Sequence, residues 1–243
     1  MRPYTVALAG NPNTGKSTLF NTLTGLRQHT GNWAGKTVVS AEGEFIHEDT
    51  AFRMIDLPGT YSLYSNSADE EVARDYIIFE QPDVTIVVLD ATSLERNLNL
   101  ALQVLEMTSR VVVCINLMDE AKKLGIRVDT DQIERQLGVP VVAVSARNKT
   151  GIDTLLDKVA EIASGSHVPK PVPVIYNDDI EKKIAQLEPL IRQTLGDRFP
   201  ARWVALRLLD EDESLISSLR AKLHEQPATE QKEEIRYGRT ACH

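Results

Sequence analysis

A glycine-rich segment near the N-terminus limits the folds open to this chain more than any other stretch does. It runs Gly10-Asn11-Pro12-Asn13-Thr14-Gly15-Lys16-Ser17 and matches the pattern Gly, four residues, Gly-Lys-Ser/Thr of a phosphate-binding loop. Residues 4–9 predict a strand before it, and residues 17–23 predict a helix after it. Glycines let backbone N–H groups surround a phosphate, while the helix N-terminus and Lys16 add positive charge. The Ser17 hydroxyl is then left for Mg²⁺. These flanks disfavour the alternative, a glycine turn before an ordinary helix.

Length and composition exclude several other classes of protein. With 243 residues and 42% hydrophobic content, the chain can bury one sizeable core and a small second unit. The longest apolar run near the middle, residues 84–89, falls far short of the roughly 18 residues of a membrane span. The first strand starts too early for a signal peptide, and two cysteines make no disulfide framework, so we expect a soluble protein in a reducing, cytosolic setting. The net charge of −8 argues against a nucleic-acid partner.

Strands and helices alternate from Tyr4 to Ala163. This alternation predicts an α/β fold, a P-loop domain with a mostly parallel six-stranded sheet, helices on both faces and ligands at the carboxyl ends of its strands. Residues 26–37 show no period and predict a loop, a candidate first switch. Residues 38–48 and 50–55 predict an antiparallel hairpin at the edge of the sheet. Residues 60–68 are a second switch candidate.

The second strand of that hairpin ends in Asp56-Leu57-Pro58-Gly59. An Asp at the carboxyl end of a strand can reach Mg²⁺ through a water, and the Gly N–H can meet a terminal phosphate. Asp and Gly are also common in ordinary turns. The position of the motif after the phosphate loop favours the nucleotide role.

Two later segments suggest recognition of a base. A buried strand ends in Asn116-Leu117-Met118-Asp119, where an Asp carboxylate can accept hydrogen bonds from N1 and N2 of guanine, which adenine does not offer. An Asx turn that caps the next helix is the alternative. The next strand ends in Ser145-Ala146-Arg147, whose backbone N–H groups are placed to meet guanine O6.

The composition changes after residue 164. Residues 165–175 contain three prolines at every second position and predict a stiff, extended linker between a first domain, residues 1–164, and a second, residues 176–243. Apolar residues at helical spacing predict one helix from Ile180 to Leu195, a short one near Trp203, another through Leu215 and Leu223, and a last one at residues 230–237. The second domain is therefore predicted to be a small helical bundle docked on the first.

In this order and spacing, the motifs resemble those of a translation-factor-class GTPase domain of the P-loop type. More narrowly, four segments are similar to the cytosolic N-terminal region of the bacterial ferrous iron transport protein B family. They are Gly10 to Lys16, Gly31-Asn32-Trp33-Ala34-Gly35-Lys36-Thr37-Val38, Asp56-Leu57-Pro58-Gly59-Thr60-Tyr61-Ser62-Leu63, and Asn116 to Asp119. The likeness covers the first domain in detail and the second only in arrangement. In that family the helical part modulates nucleotide release, and a membrane domain follows.

The resemblance implies a binding role for the whole loop from Gly10 to Thr18 and for Gly35, Lys36 and Thr37 in the first switch. By the same likeness, Lys16 contacts the β- and γ-phosphates, and the Gly59 N–H meets the γ-phosphate. Mg²⁺ is held by the hydroxyls of Ser17 and Thr37 and, through a water, by Asp56; Thr30 is the rival to Thr37.

The likeness also implies a K⁺ ion beside the phosphates. Relatives with Asn at the position of Asn13 bind this ion with help from carbonyls of the first switch, here those of Gly31 and Trp33, and the ion supplies the charge of an arginine finger. The alternative for Asn13 is a turn residue suited to a tight loop.

Two residues depart from the common GTPase pattern. Thr60 stands where many small GTPases carry a water-orienting Gln, so we expect slow intrinsic hydrolysis that depends on the backbone and K⁺. Leu117 replaces the Lys of the base-recognition motif, which predicts weaker nucleotide binding and faster exchange.

The function predicted from these motifs is GTP hydrolysis, with Mg²⁺ and K⁺, at the cytoplasmic face of a bacterial membrane. The predicted partner is a C-terminal Fe²⁺ permease domain of the same polypeptide, and a homo-oligomer is left open. One alternative is a free-standing GTPase of RNA modification or ribosome assembly, and another is a regulatory module that senses GTP. A direct iron-binding domain has little support because the five histidines are scattered.

Overall fold

The computed structural model describes residues 2–25, 28–33, 38–64 and 67–224. Seven strands form one sheet in the order β2-β3-β4-β1-β5-β6-β7. They are β1 Tyr4–Gly10, β2 Gln28–Asn32, β3 Val39–His47, β4 Thr50–Asp56, β5 Val84–Asp90, β6 Val111–Asn116 and β7 Val141–Ala143. The five strands from β4 to β7 in the sheet are parallel, and β3 runs antiparallel to both of its neighbours. The predicted P-loop α/β architecture is thereby confirmed.

The strand count differs from the prediction of six. The additional strand, β2, lies in the segment predicted as a loop, and it pairs with β3 in the register His29↔Glu42 and Asn32↔Val39. Its side chains from His29 onward are exposed, so no buried face imposes an alternating pattern on this stretch. The predicted hairpin is antiparallel as expected, but its place at the edge was wrong because β2 covers β3.

Helices cover both faces of the sheet, as the alternating pattern predicts. They are α1 Lys16–Thr24, α2 Ala68–Asp75, α3 Leu94–Met107, α4 Met118–Lys123, α5 Thr130–Leu137 and α6 Ile152–Ala163. A π-helical turn, Tyr76–Glu80, continues α2. Because side chains alternate along a strand, Val6 and Leu8 of β1 pack with α1 and α6, while Ala7 and Ala9 pack on the face of α2 and α3.

Three further helices follow: α7 Asp178–Leu195, α8 Ala201–Leu209 and α9 Glu213–His224. Their apolar residues share one core with the α3 face of the sheet, and Trp203 and Leu206 lie in the same buried cluster as Leu100 and Val104. Polar contacts also cross this boundary. The fully buried Arg74 of α2 donates to Asp212 at 3.3 Å, and the Tyr176 hydroxyl donates to Glu106 of α3 at 2.6 Å.

Residues between α6 and α7 form no helix or strand. Lys170 N–H and Val172 N–H donate to the carbonyls of Gly138 and Leu137, which ties this stretch to the end of α5. The helix predicted at residues 230–237 lies outside the described residues. Across the ranges that the structure describes, no helix combines the length and the apolarity that crossing a bilayer requires.

Candidate functional site

The predicted motifs meet at one edge of the sheet, because the carboxyl ends of parallel strands lie side by side. The phosphate loop follows β1, Asp56 ends β4, Asn116 ends β6, and Ser145 follows β7. In the register, Leu8 pairs with Asp56 and Asp90 pairs with Asn116. The topology therefore gathers segments that lie far apart along the chain.

The phosphate loop has the backbone that its glycines predict. Asn13 and Gly15 have φ of 66° and 78°, and the Thr14 hydroxyl donates to the Asn11 carbonyl at 2.9 Å. A side chain at residue 15 would collide with Asn116 Nδ2, so both the conformation and the space require glycine. Helix α1 begins at Lys16, and its first turn exposes Ser17 and Thr18 at the loop. The N–H groups of this turn are available to an anion.

Lys16 is turned towards the end of β4. Its ammonium forms an ion pair with the Asp56 carboxylate and donates to the Leu57 carbonyl at 2.7 Å. Burial raises the pKa of Asp56, and the charge of Lys16 partly offsets this rise. Lys16 itself is only 9% exposed. In this arrangement the lysine holds the end of β4 at the edge where a phosphate would sit.

The loop after Asp56 lies directly over the phosphate loop. Thr60 N–H donates to the Gly10 carbonyl at 3.3 Å, and a Cβ on Gly59 would lie 3.5 Å from Pro12. This contact places the Gly59 backbone against the phosphate loop; that its N–H meets a γ-phosphate stays a prediction.

Asn116 has a structural role that its motif alone does not reveal. Its side chain is 1% exposed, and its Nδ2 donates to the Thr14 carbonyl while its Oδ1 accepts from Ala146 N–H, both at 3.0 Å. One amide thus joins the phosphate loop to the segment after β7. The Ser145 N–H donates to Thr150, so two of the three N–H groups predicted to meet guanine already have partners in the chain.

Asp119 lies at the start of α4, with its side chain beside Ser145. The Ser145 hydroxyl donates to Asp119 Oδ1 at 2.8 Å and holds the pKa of this carboxyl below its usual range. The carboxylate is therefore ionised at neutral pH and acts purely as an acceptor. Leu117 has φ of 62° and is the N-cap of α4, while Met118 N–H donates to the Val144 carbonyl at 3.3 Å.

We predict that Asn116→Leu lowers the free energy of unfolding of the nucleotide-free chain by roughly 2–4 kcal/mol, because two buried backbone groups lose their partner. Urea denaturation measures this difference. Asn99→Leu, an exposed amide on α3, is the matched control and should change stability little. Equal stability of the two variants would contradict the bridging role.

The structure describes only part of the first switch. Gly31 lies in β2 opposite Ser40, and Trp33 N–H donates to the Val38 carbonyl at 2.9 Å. The Trp33 ring packs edge-on against Tyr76 with 5.3 Å between centroids. Thr30, the rival magnesium ligand, is exposed in β2. The predicted site residues Gly35, Lys36 and Thr37 lie outside the described residues.

The oxygen donors at this edge suit a hard divalent cation. The exposed Ser17 hydroxyl follows Lys16, and the Asp56 carboxylate is ion-paired with that lysine; both offer oxygen ligands of the kind that Mg²⁺ takes. Asn11 is also buried in this loop. Within the described part of the chain, neither its Oδ1 nor its Nδ2 has a hydrogen-bond partner, so both atoms could bind a ligand.

One grouping of titratable residues lies at the other end of β4. His47 Nε2 is 2.8 Å from Asp157 Oδ1, and Glu48 stands beside them. Sequence reasoning did not predict this proximity, because Asp157 belongs to α6 and His47 to β3, 110 positions apart along the chain. We interpret this pair as a surface hydrogen bond that joins the end of β3 to α6.

Comparison with known proteins agrees with this geometry. The family model of ferrous iron transport protein B matches residues 4–159, and that of the FeoB cytosolic helical domain matches residues 176–241. The Fe(2+) transporter FeoB of Salmonella typhimurium is 39% identical over 225 residues, which cover 87% of this chain and 28% of that protein. Its counterpart in Escherichia coli strain K12 is 38% identical over 219 residues, which cover 87% of this chain and 27% of that protein. The chain thus spans little more than a quarter of these relatives.

Solved structures give the same result. The cytosolic domain of the T. maritima FeoB iron transporter in its apo form is 38% identical, with a TM-score of 0.82 over 89% of this chain and 85% of that one. The GMPPNP form of that domain has 37% identity and a TM-score of 0.79 over 88% and 84% of the two chains. The match in sequence runs through both the sheet domain and the helices. The chain belongs to the ferrous iron transport protein B family.

Proposed function

We propose that this chain binds GTP and hydrolyses it to GDP and phosphate, with Mg²⁺ required and K⁺ stimulating a slow intrinsic rate. The observation that carries the proposal is the ionised Asp119 carboxylate, held by Ser145 at the same sheet edge as the phosphate loop. Structures of the T. maritima FeoB cytosolic domain in GDP and GMPPNP forms support a guanine nucleotide as ligand. The reaction is in-line attack of water on the γ-phosphate.

The phosphate end of the site follows from the loop and β4. Lys16 exchanges the Leu57 carbonyl and Asp56 for the β- and γ-phosphates, since a phosphate offers more negative charge than either partner. Ser17 and Thr37 hold Mg²⁺ by their hydroxyls, and Asp56 acts through a water. Freed from Gly10, the loop after Asp56 brings the Gly59 N–H to the γ-phosphate. The metal neutralises charge that develops on the phosphate oxygens.

The base end selects guanine. Asp119 accepts from N1 and N2 of the base, and Ser145 fixes the orientation of the carboxylate. Guanine O6 shares the Ala146 N–H with Asn116 or takes the N–H of Arg147. Because Leu117 supplies no lysine stem to pack along the nucleotide, affinity is expected to be modest while the preference for guanine is kept.

The K⁺ role is proposed for Asn13 with the carbonyls of Gly31 and Trp33. Asn13 is exposed in the phosphate loop with positive φ, so its side chain is free to face the nucleotide. The ion would supply positive charge to the transition state, as an arginine finger does elsewhere.

We further propose the context of the whole protein. The chain divides into a GTP-binding domain at residues 1–164, a connection at 165–175 and a helical domain at 176–243, in line with the two family models. It lies at the cytoplasmic face of the membrane and passes its nucleotide state to an Fe²⁺ permease domain of the longer polypeptide. The relatives are Fe(2+) transporters of which this chain spans 28%, which favours this partner over an RNA-linked one.

The test is GTP hydrolysis in KCl and in NaCl at equal ionic strength. We predict that K⁺ raises kcat roughly tenfold or more and that Asn13→Ala loses this response, because a charge-stabilising ligand is removed. Steady-state phosphate release measures both rates.

The matched control is Asn99→Ala, whose exposed amide lies on α3. It should keep the K⁺ response of the unmodified chain. Equal rates in the two salts would rule out K⁺ stimulation but leave GTP hydrolysis standing. No hydrolysis in either salt would overturn the enzymatic proposal.

A further inference from the structure

A buried glutamine on α3 contacts the loop that follows Gly59. Gln103 is 6% exposed, and its Oε1 accepts a hydrogen bond from Leu63 N–H at 2.7 Å. This residue belongs to none of the nucleotide-binding motifs. Its contact joins a rigid helix to the backbone of the second switch, residues 60–68.

Leu63 is the point where this loop meets the core. Its side chain is 4% exposed and lies in the same buried cluster as Leu100 and Val104 of α3. Burial holds the side chain, whereas Gln103 holds the backbone N–H. At the other end, Thr60 N–H is bound to the Gly10 carbonyl. The stretch that can move to bring Gly59 to a phosphate is therefore bounded by Leu63.

A fixed boundary matters for catalysis because a short tethered segment samples fewer conformations than a long one. If the Leu63 backbone were free, the Gly59 N–H would be placed on the γ-phosphate at a greater entropic cost. The effect is expected on hydrolysis of GTP and not on binding of GDP, since GDP carries no γ-phosphate for Gly59 to meet.

Two further observations separate Gln103 from an ordinary core amide. Its Nε2 is buried without a hydrogen-bond partner among the described residues, a costly arrangement that packing alone would replace with an apolar side chain. Two helical turns earlier on α3, the Arg96 guanidinium lies 4.4 Å above the ring of Tyr61 in the same loop. Helix α3 thus contacts the loop on both sides of Ser62.

We propose that Gln103 is a positioning residue for hydrolysis, which anchors the backbone of the second switch at Leu63 so that Gly59 can meet the γ-phosphate. This role rests on the proposed GTPase function. Gln103 does not touch the nucleotide; it acts through the loop.

The experiment compares Gln103→Met, which keeps the size and removes the acceptor, with Gln103→Glu, which keeps an oxygen acceptor for Leu63. Gln132→Met, an exposed glutamine on α5, is the matched control. We expect Gln103→Met to lower kcat about tenfold, with KM for GTP and the affinity for GDP within about twofold of the unmodified chain. Gln103→Glu should retain kcat within about threefold. Hydrogen exchange of the Leu63 amide should speed up in the Met variant alone.

Thermal unfolding of each variant shows whether the substitution lowers the stability of the fold and not only the rate of hydrolysis. If Gln103→Met leaves kcat unchanged, or if kcat, GDP affinity and stability fall together without recovery in Gln103→Glu, the positioning role is overturned. If the unmodified chain itself fails to hydrolyse GTP, the proposed function fails instead. In that case Gln103 is judged by hydrogen exchange: the Leu63 amide must exchange faster in the Met variant than in the unmodified chain, and an unchanged rate overturns the inference.

Discussion

Asp119→Asn is expected to lower GTP affinity by more than about a hundredfold and to create binding of xanthosine triphosphate. In the proposed complex the carboxylate accepts from both N1 and N2 of guanine, and an amide in its place sets a donor against the N2 donor. Xanthine carries a carbonyl at that position, so the new amide donor finds an acceptor there. Ser145 still donates to the side-chain oxygen and keeps its orientation. Competition binding with a fluorescent guanine nucleotide measures both affinities.

The control for this exchange of base is Asp131→Asn, an exposed Asp in the first turn of α5. It should leave affinity for both nucleotides as it is in the unmodified chain. If Asp119→Asn still prefers GTP, Asp119 is a capping residue of α4 and another group selects the base.

Lys16→Met is expected to lower kcat/KM for GTP by about a thousandfold or more. The variant removes the only full positive charge in the phosphate loop itself, where the transition state concentrates negative charge. It also leaves Asp56 buried without its cation, which raises the pKa of that carboxyl further and would weaken the hold on a Mg²⁺-bound water that we propose for it. Single-turnover hydrolysis and GTP binding separate the two effects.

Lys182→Met on the exposed face of α7 controls for loss of a positive charge anywhere on the chain. Hydrolysis by Lys16→Met at a rate close to that of this control would show that Lys16 serves only the ion pair with Asp56. The role proposed for the phosphate loop would then be wrong.

Much of the architecture was predictable because it depends on local pattern. Strands β1, β5 and β6 are short apolar runs between turns, and α3 and α6 have apolar residues at helical spacing. When a helix connects two such strands by a right-handed crossover, the two strands run parallel in one sheet. The glycines of the phosphate loop predicted a tight turn of the backbone there. Gly15 has positive φ and lies against Asn116, as such a turn requires.

The sequence predicted that the motif segments meet at one edge of the sheet, but not the contacts between them. Motif spacing placed Lys16, Asp56 and Asp119 at one edge of the sheet. It did not show that Lys16 is bound to Asp56 and to the Leu57 carbonyl, that Asn116 joins two loops, or that Ser145 donates to Asp119. Gln103 gave no signal at all, because one Gln inside a helical pattern has no feature to distinguish it.

By itself, the sequence determined the fold class, the phosphate loop and the residue types available for the chemistry, since these depend on period and on neighbours along the chain. Only the tertiary structure decided that β2 becomes a strand, which partner Lys16 has, and which helix anchors the second switch. Edge strand β2 is held by backbone pairing to β3, and Gln103 meets Leu63 across 40 positions of sequence. Such contacts depend on how distant segments pack together, and no local pattern encodes them.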